Sequence, residues 1–189
     1  MQRVMVITSP ERIVTLEQAK QHLRVDSEDD DALIGVFIDS AIGHIDGPDG
    51  WLGRAIGEQT LEARLDGFVS DPIRLPYPPV IDVTAVVYED VGGADRTLDA
   101  ETYEVRDDVI GTAWGKSWPQ TRAYRGAGRS VRITYRAGYE TVPAPIVVAV
   151  LLMVGDMYRN RETSGSGTLS AVPMSTTVNA LLQPFRMYT

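Results

Sequence analysis

Apolar positions recur every three to four residues in three stretches of the chain, which predicts three helices. The first, TLEQAKQHLRV, opens with a capping-box pattern at Thr15 and Gln18. The second is expected to begin at Ser27, with acidic residues 28–31 in its first turn, and to continue through an apolar face. The third, residues 144–162, is apolar nearly all round before its charged end, so neighbouring elements must enclose it. We expect the second helix to cover the third.

Between these helices the apolar period changes to two, which is typical of strands. In QTLEARLDGF, Leu61, Ala63 and Leu65 alternate with charged residues, as in a half-buried strand. The stretches IRLPYPPVIDVTAVVYED, TYEVRDDVIGTAW and RSVRITYRAGY add further strands, separated by turns rich in Pro, Gly or Asp. The sequence therefore predicts a β unit of five or six strands between two helical regions.

Together these patterns predict an α+β fold: a helical bundle from N- and C-terminal segments, an inserted antiparallel β domain and an extended C-terminal tail. The expected parts are residues 1–57 (N-terminal helices), 58–142 (β domain), 143–162 (long core helix) and 163–189 (flexible spacer and docking tail). The strongest apolar run, Ala144 to Gly155, is much shorter than the roughly 20 residues that span a bilayer. We therefore expect no membrane partner.

Motifs for catalysis and cofactor binding are weak. The chain has no cysteine, and its two histidines, His22 and His44, lie on different predicted helices, which is too few for a usual zinc site. GTAWGKS at 111–117 resembles a phosphate loop, but its spacing is one residue short and Trp118 and Pro119 follow where a helix should begin. We expect a non-enzymatic protein with no metal and no cofactor. The alternative is a small enzyme built on the β domain.

Charge is distributed unevenly along the chain. The net charge is -8. From Gln120 onward the chain has eight arginines and three carboxylates, a local charge of +5, so the first 119 residues carry a charge of -13. An acidic chain favours a subunit interface over nucleic-acid binding for its arginine cluster, because DNA-binding domains are usually basic overall. The candidates for a subunit interface or a DNA-facing surface are Arg122, Arg125, Arg129 and Arg132.

The C-terminal segment combines aliphatic, aromatic and cationic side chains after a spacer rich in Gly, Ser and Thr. Aromatic residues and arginine anchor protein interfaces most strongly, and a flexible spacer gives such a segment reach. One interpretation is a tethered peptide that docks into another protein; the other is a strip that folds back onto its own core. The docking candidates are Val178, Leu181, Leu182, Pro184, Phe185, Arg186 and Tyr188.

The chain resembles a known family through the order of eight segments. These are LEQAKQHLRVDSEDDDALIGVFIDSA, IGEQTLEARLDGF, IRLPYPPVIDVTAVVYED, YEV, WP, VRITYRAGY, VPAPIVVAVLLMVGDMYRNRE and LLQPFR. In this order they resemble the head-tail connector, or adaptor, proteins of long-tailed bacteriophages, prophages and gene transfer agents. The longer subfamily with a β insertion is the most similar.

The resemblance implies a structural protein of the virion neck, assembled in the bacterial cytoplasm. It implies a homo-oligomeric ring of twelve copies that binds the portal protein on one side and a tail stopper or terminator on the other, with double-stranded DNA passing through without specific binding. Carried over by position, Val178 to Tyr188 would dock into the portal, and its apolar residues would be exposed in the monomer. The placement of charge, taken by itself, adds the hypothesis that the acidic first 119 residues line the DNA channel. A tail-completion protein further from the portal is the alternative.

Overall fold

The structure is a computed structural model that describes residues 3–68, 70–122, 130–160 and 175–188. The chain divides into two units. The β unit consists of Met1–Glu11 and Arg54–Glu140, and the helical unit consists of Arg12–Gly53 and Thr141–Thr189. Each unit is therefore built from two separate stretches of sequence.

The first helix of the helical unit, α1, spans Leu16–Leu23 and begins where the sequence predicts. The Gln18 backbone N–H donates to the Thr15 hydroxyl (3.2 Å), and the Thr15 N–H donates to the Gln18 side-chain oxygen (2.9 Å). These bonds satisfy two backbone donors at the start of the helix. The predicted capping box is confirmed.

The second helix, α2, spans Asp31–Ile45 and does not begin next to Ser27. The expected Ser27 cap is wrong, because Asp30 occupies the N-cap position and the Asp31 N–H donates to the Glu28 carbonyl (3.2 Å) in a preceding turn. A distant side chain explains the difference: the Tyr158 hydroxyl donates to the Asp30 carboxylate (2.5 Å). This tertiary contact holds the residues before α2 outside the helix.

Two more helices complete the unit: α3 spans Ala144–Arg159, and α4 spans Thr176–Leu182 and runs into a 3-10 turn over Gln183–Phe185. Helix α3 contacts α1, α2 and α4, so the predicted contact between the second and third helices is confirmed. Apolar residues at helical spacing form the core. Those fully buried are Ile34, Ile38 and Ile45 from α2 and Ile146, Ala149, Val150 and Val154 from α3.

The described part of the β unit contains two antiparallel sheets. The larger sheet has five strands in the order β1-β2-β8-β4-β5, and the smaller has three in the order β3-β7-β6. The bounds are β1 Arg3–Thr8, β2 Gln59–Leu65, β3 Ile73–Arg74, β4 Val80–Glu89, β5 Asp95–Thr97, β6 Tyr103–Arg106, β7 Val109–Thr112 and β8 Val131–Ala137. The expected boundary at residue 57 placed residues 3–8 with the N-terminal helices. These residues instead form β1, which pairs with β2 at the sheet edge.

Alternation along β2 and β8 explains how the larger sheet buries one face. Leu61, Ala63 and Leu65 share that face with Val131, Ile133 and Tyr135, and all six are at most 3% exposed. The Tyr135 hydroxyl donates to a backbone carbonyl, that of Pro76 (2.6 Å), so its one polar atom is satisfied. Burial, with a contribution from Tyr77, raises the pKa of Tyr135 well above its ordinary value.

The α+β fold class is confirmed, with four helices and sheets of five and three strands in the described residues. The expected extended conformation of the C-terminal tail is wrong, because residues 176–185 are helical. Among the described helices, none combines the length and apolar composition needed to cross a membrane.

Candidate functional site

The C-terminal segment, residues 175–188, folds as a short capped helix. The Val178 backbone N–H donates to the Ser175 hydroxyl (3.3 Å) at the start of α4, and Pro184 lies in the 3-10 turn that follows. Val178 and Leu182 are four residues apart, so they lie on the same side of the helix. Helix α4 contacts α3, and both side chains are fully buried.

Exposure separates the docking candidates into two groups. Val178 and Leu182 are 0% exposed, which makes the expectation of exposed apolar residues in the monomer wrong at these two positions. Their i, i+4 spacing provides the physical reason, since a helix gathers them on one face that packs within the chain. The others are accessible: Tyr188 is 71% exposed, Pro184 is exposed, and Leu181, Phe185 and Arg186 are half-buried.

Beyond α4 the segment is fastened to the loop that follows α2. The Met187 N–H donates to the Leu52 carbonyl (2.8 Å), and the Arg186 guanidinium lies 4.2 Å from the ring centroid of Trp51 and 5.0 Å from that of Tyr188. A guanidinium over an aromatic face is attracted by the negative face of the ring. Gly53 allows the close approach: its φ is +65°, and a Cβ there would lie 3.1 Å from the Met187 carbonyl oxygen.

Sequence reasoning found Arg186 but missed Trp51 as its partner. The two residues lie in the two separate stretches of the helical unit's sequence, and no spacing rule connects them. The only available signal was local, since α2 ends at Ile45 and an aromatic residue in the loop after it has no helical face to pack into. The structure brings both residues together with Tyr188.

The candidate arginines of the β unit pair with carboxylates of the same chain. Arg122 lies 3.2 Å from Glu89, and Arg132 lies 2.7 Å from Asp95. Arg125 and Arg129 lie outside the described residues. These ion pairs are partly open to water, with arginine side chains 51% and 30% exposed, so each stabilises the fold only weakly.

Arg136 makes the most extensive ion pairing of this region. It donates to both oxygens of Asp82 (3.0 and 2.7 Å) and to Glu58 (2.7 Å). The side-chain hydrogen bonds from Arg136 hold the pKa of the Asp82 carboxyl below its ordinary value, and the pKa of Arg136 is raised by the same bonds. Asp82 and Arg136 lie directly opposite each other on β4 and β8, so the sheet register fixes this pair.

In the described part of the chain, the phosphate-loop resemblance and a metal site can each be compared with the geometry they require. After β7 the Lys116 N–H donates to the Ala113 carbonyl (2.9 Å), which closes a tight turn around Trp114 and Gly115. No described helix begins there, so the phosphate-loop resemblance lacks the helix N-terminus that would bind an anion. The described residues also include no group of three His, Cys, Asp or Glu side chains placed to hold a metal ion.

The fold is similar to that of chains in solved structures of gene transfer agent particles. A chain from the neck of an empty gene transfer agent particle, computed with C6 symmetry, matches with a TM-score of 0.75 at 21% identity, covering 99% of this chain and 96% of that one. A chain from the virion of a native gene transfer agent particle matches with a TM-score of 0.74 at 22% identity, covering 98% and 96%. A third, from a native neck computed with C12 symmetry, matches with a TM-score of 0.68 at 19% identity, covering 99% and 96%. At these identities the similarity establishes the fold.

Comparisons of the sequence with known proteins and families give one match. No curated protein matches the chain. Residues 13–90, which include α1, α2, β2 and β4, match the model of the phage gp6-like head-tail connector protein. The match confirms the predicted resemblance to head-tail connector proteins over this segment. The similarity to this family covers less than half of the chain.

Proposed function

We propose that the protein is a structural connector in the neck of a phage or gene transfer agent particle, where a ring of its copies joins the portal to the tail. The observation that carries this proposal is the fold similarity to neck proteins, which covers 98–99% of this chain and 96% of each matched chain. Such coverage includes both the β unit and the helical unit. The family match over residues 13–90 supports the same function.

A ring of twelve copies accounts for the way such a protein would work. The necks of the similar structures are described with C6 and C12 symmetry, which supports a cyclic assembly here. In a ring, many weak contacts act together, because docking of one copy raises the effective concentration of the others at the portal. The side of the ring away from the portal would receive a stopper or terminator protein of the tail.

The C-terminal segment is the part that we propose docks into the portal, and its folded position sets a condition. Tyr188 and Pro184 are exposed in the free chain, whereas Val178 and Leu182 are covered by their own helical unit. Docking by the whole segment therefore requires α4 to leave α3. The segment leaves its own helical unit only if it binds the portal cleft more tightly than it binds α3. The cleft must therefore bury the same apolar side chains and replace the contacts of Arg186.

The acidic composition suits a conduit for DNA. With a net charge of -8, the chain repels the phosphate backbone over much of its surface, so a duplex would pass without sticking. We expect the free protein to show no strong, steeply salt-dependent binding to double-stranded DNA. Tight DNA binding at low salt would contradict a channel-lining role.

The test is binding of the full chain to the portal protein of its own particle, measured by co-purification and by native mass spectrometry. Two variants address the segment: a deletion of residues 175–189, and Tyr188→Ser, which removes a 71% exposed ring and should leave folding intact. Val91→Ser is the matched control, because Val91 is 70% exposed and lies in a turn of the β unit.

We expect the wild type and Val91→Ser to bind in multiple copies, and Tyr188→Ser to bind several-fold more weakly. The deletion should lose binding while keeping the circular dichroism expected for the remaining helices and strands. If the deletion binds the portal as tightly as the wild type, docking by this segment is wrong. If the wild type binds neither the portal nor any tail-side protein, the connector function is wrong for this chain.

A further inference from the structure

Three arginines face one another across the edge of the larger sheet. Arg3 on β1 is directly opposite Arg64 on β2, and Arg64 is directly opposite Arg132 on β8. Residues opposite each other in adjacent strands point to the same face, with Cβ atoms about 4.5–5.5 Å apart. That face is the outer one, because the alternate residues of β2 and β8 are buried in the core. We call Arg3, Arg64 and Arg132 the arginine row.

The arginine row has more positive charge than its own chain neutralises. Like charges directly opposite each other destabilise a sheet, so such a row needs anions. Glu62 lies 2.6 Å from Arg64 and Asp95 lies 2.7 Å from Arg132, but among the described residues no carboxylate pairs with Arg3. Each guanidinium has five N–H donors, of which a single carboxylate uses at most a few. The row can therefore accept further carboxylates from outside the chain.

The helical unit carries a matching group of carboxylates before α2. Asp26, Glu28 and Asp29 are exposed, and within the described ranges none of them makes an ion pair. Asp30 and Asp31 differ, because they bond to Tyr158 and Lys20. Since α2 begins only at Asp31, Glu28 and Asp29 do not lie in its first turn as the sequence led us to expect. We call Asp26, Glu28 and Asp29 the acidic segment.

We propose that the arginine row of one copy binds the acidic segment of the next copy in the ring. A closed ring of identical chains uses a heterologous contact, in which two different surfaces of each copy are complementary. The row and the acidic segment are complementary in charge, and they belong to different units of the chain. This inference rests on the proposed function, because it assigns the contact that closes the connector ring.

Double-stranded DNA is the less suitable occupant of the arginine row. Glu62 and Asp95 flank the row, and the chain as a whole is acidic, so an approaching duplex would meet carboxylates on both sides. A short acidic segment is narrow enough to place its side chains between these carboxylates. Exposed ion pairs of this kind are weak singly and are screened by salt, which suits a contact repeated around a ring.

A charge exchange between the two surfaces tests the contact. Arg3→Glu/Arg64→Glu makes the row acidic, and Glu28→Lys/Asp29→Lys makes the segment basic by a change of equal size. Glu11→Lys/Glu101→Lys is the matched control, because both glutamates are exposed and lack an ion pair among the described residues. Self-association of the full chain is measured by sedimentation velocity up to millimolar concentration, with circular dichroism to confirm folding. The milder Arg3→Gln/Arg64→Gln serves if the reversed row fails to fold.

We expect each reversed variant alone to associate at least tenfold more weakly than the wild type, and the control to associate within about twofold of it. An equal mixture of the two reversed variants, and a chain that carries all four changes, should recover association, because each acidic surface again meets a basic one. Undiminished association of the reversed variants, failure of the mixture to recover, or a wild type that stays monomeric would overturn the inference. If the wild type binds double-stranded DNA in a gel-shift assay, and Arg3→Glu/Arg64→Glu loses that binding without loss of association, the row would be assigned to nucleic acid instead. Portal binding by the wild type is scored separately, so the proposed function stands or falls on its own.

Discussion

Replacing Leu182 by alanine tests how firmly the C-terminal segment is held in the free protein. Leu182 is fully buried on a seven-residue helix that contacts α3. Removing a buried leucine side chain costs about 2–5 kcal/mol. An isolated helix in water needs about 12–15 residues even for a favourable sequence, so α4 depends on this packing. We expect Leu182→Ala to release α4 while α2 and α3 remain folded.

Amide hydrogen exchange with peptide-resolved mass spectrometry measures this release. A loss of about 2 kcal/mol in local stability raises exchange roughly 30-fold in residues 176–182. Exchange in residues 144–159 should change little. Leu181→Ala is the matched control, because this neighbouring leucine is only half-buried and its loss should raise exchange much less.

Two results would refute this reasoning. Unchanged protection of residues 176–182 would mean that Leu182 does not hold the segment. A parallel loss of protection in residues 144–159 would mean that α4 unfolds only together with α3, so that the segment belongs to the cooperative core and cannot be exchanged for a portal cleft.

Three further predictions concern stability. A Cβ at Gly35 or at Gly43 would have no heavy atom within 4 Å apart from its chain neighbours and the nearby backbone of α2. Each change to alanine should therefore stabilise the protein by about 0.5–1 kcal/mol in urea unfolding, and a loss of stability would show that these positions are crowded. Tyr135→Phe leaves a buried carbonyl without its donor and should cost about 1–3 kcal/mol in the same assay, whereas a neutral result would mean that water replaces the hydroxyl. Arg136 lowers the pKa of Asp82 in the folded state. The pair therefore stabilises the protein at pH values above the pKa of an aspartate in the unfolded chain, about 3.9. This stabilisation is lost as the pH falls through the lower pKa that Asp82 has in the folded protein. Asp82→Asn should therefore be less stable than the wild type at pH 7, and the difference should shrink as the pH falls through the folded pKa of Asp82; a deficit that does not change with pH would contradict the role of the charge.

Local signals in the sequence predicted local structure. The Thr15 and Gln18 side chains form the capping box that their spacing indicates, because its bonds join residues three apart. The alternation in β2 also gave the correct face, since a strand that is covered on one side repeats every two residues. The α+β class followed from the order of such segments.

The errors arose where distant residues decide the outcome. Ser27 fits a helix cap by its neighbours, but Tyr158 bonds to Asp30 and α2 begins later. Val178 and Leu182 have helical spacing, but the surface that receives them belongs to α3. The arginine row could not be predicted, because it depends on the register of three strands far apart in sequence, and two of the candidate arginines, Arg122 and Arg132, proved to be paired within the chain.

The most direct test is a cryo-electron microscopy reconstruction of the neck of a particle assembled with this chain. We expect one ring of twelve copies directly below the portal, with residues 178–188 of each copy in a cleft of the portal and Leu182 separated from its own α3. A particle neck without this chain, or a ring in which Leu182 still packs on its own α3 and the segment does not touch the portal, would contradict the proposal.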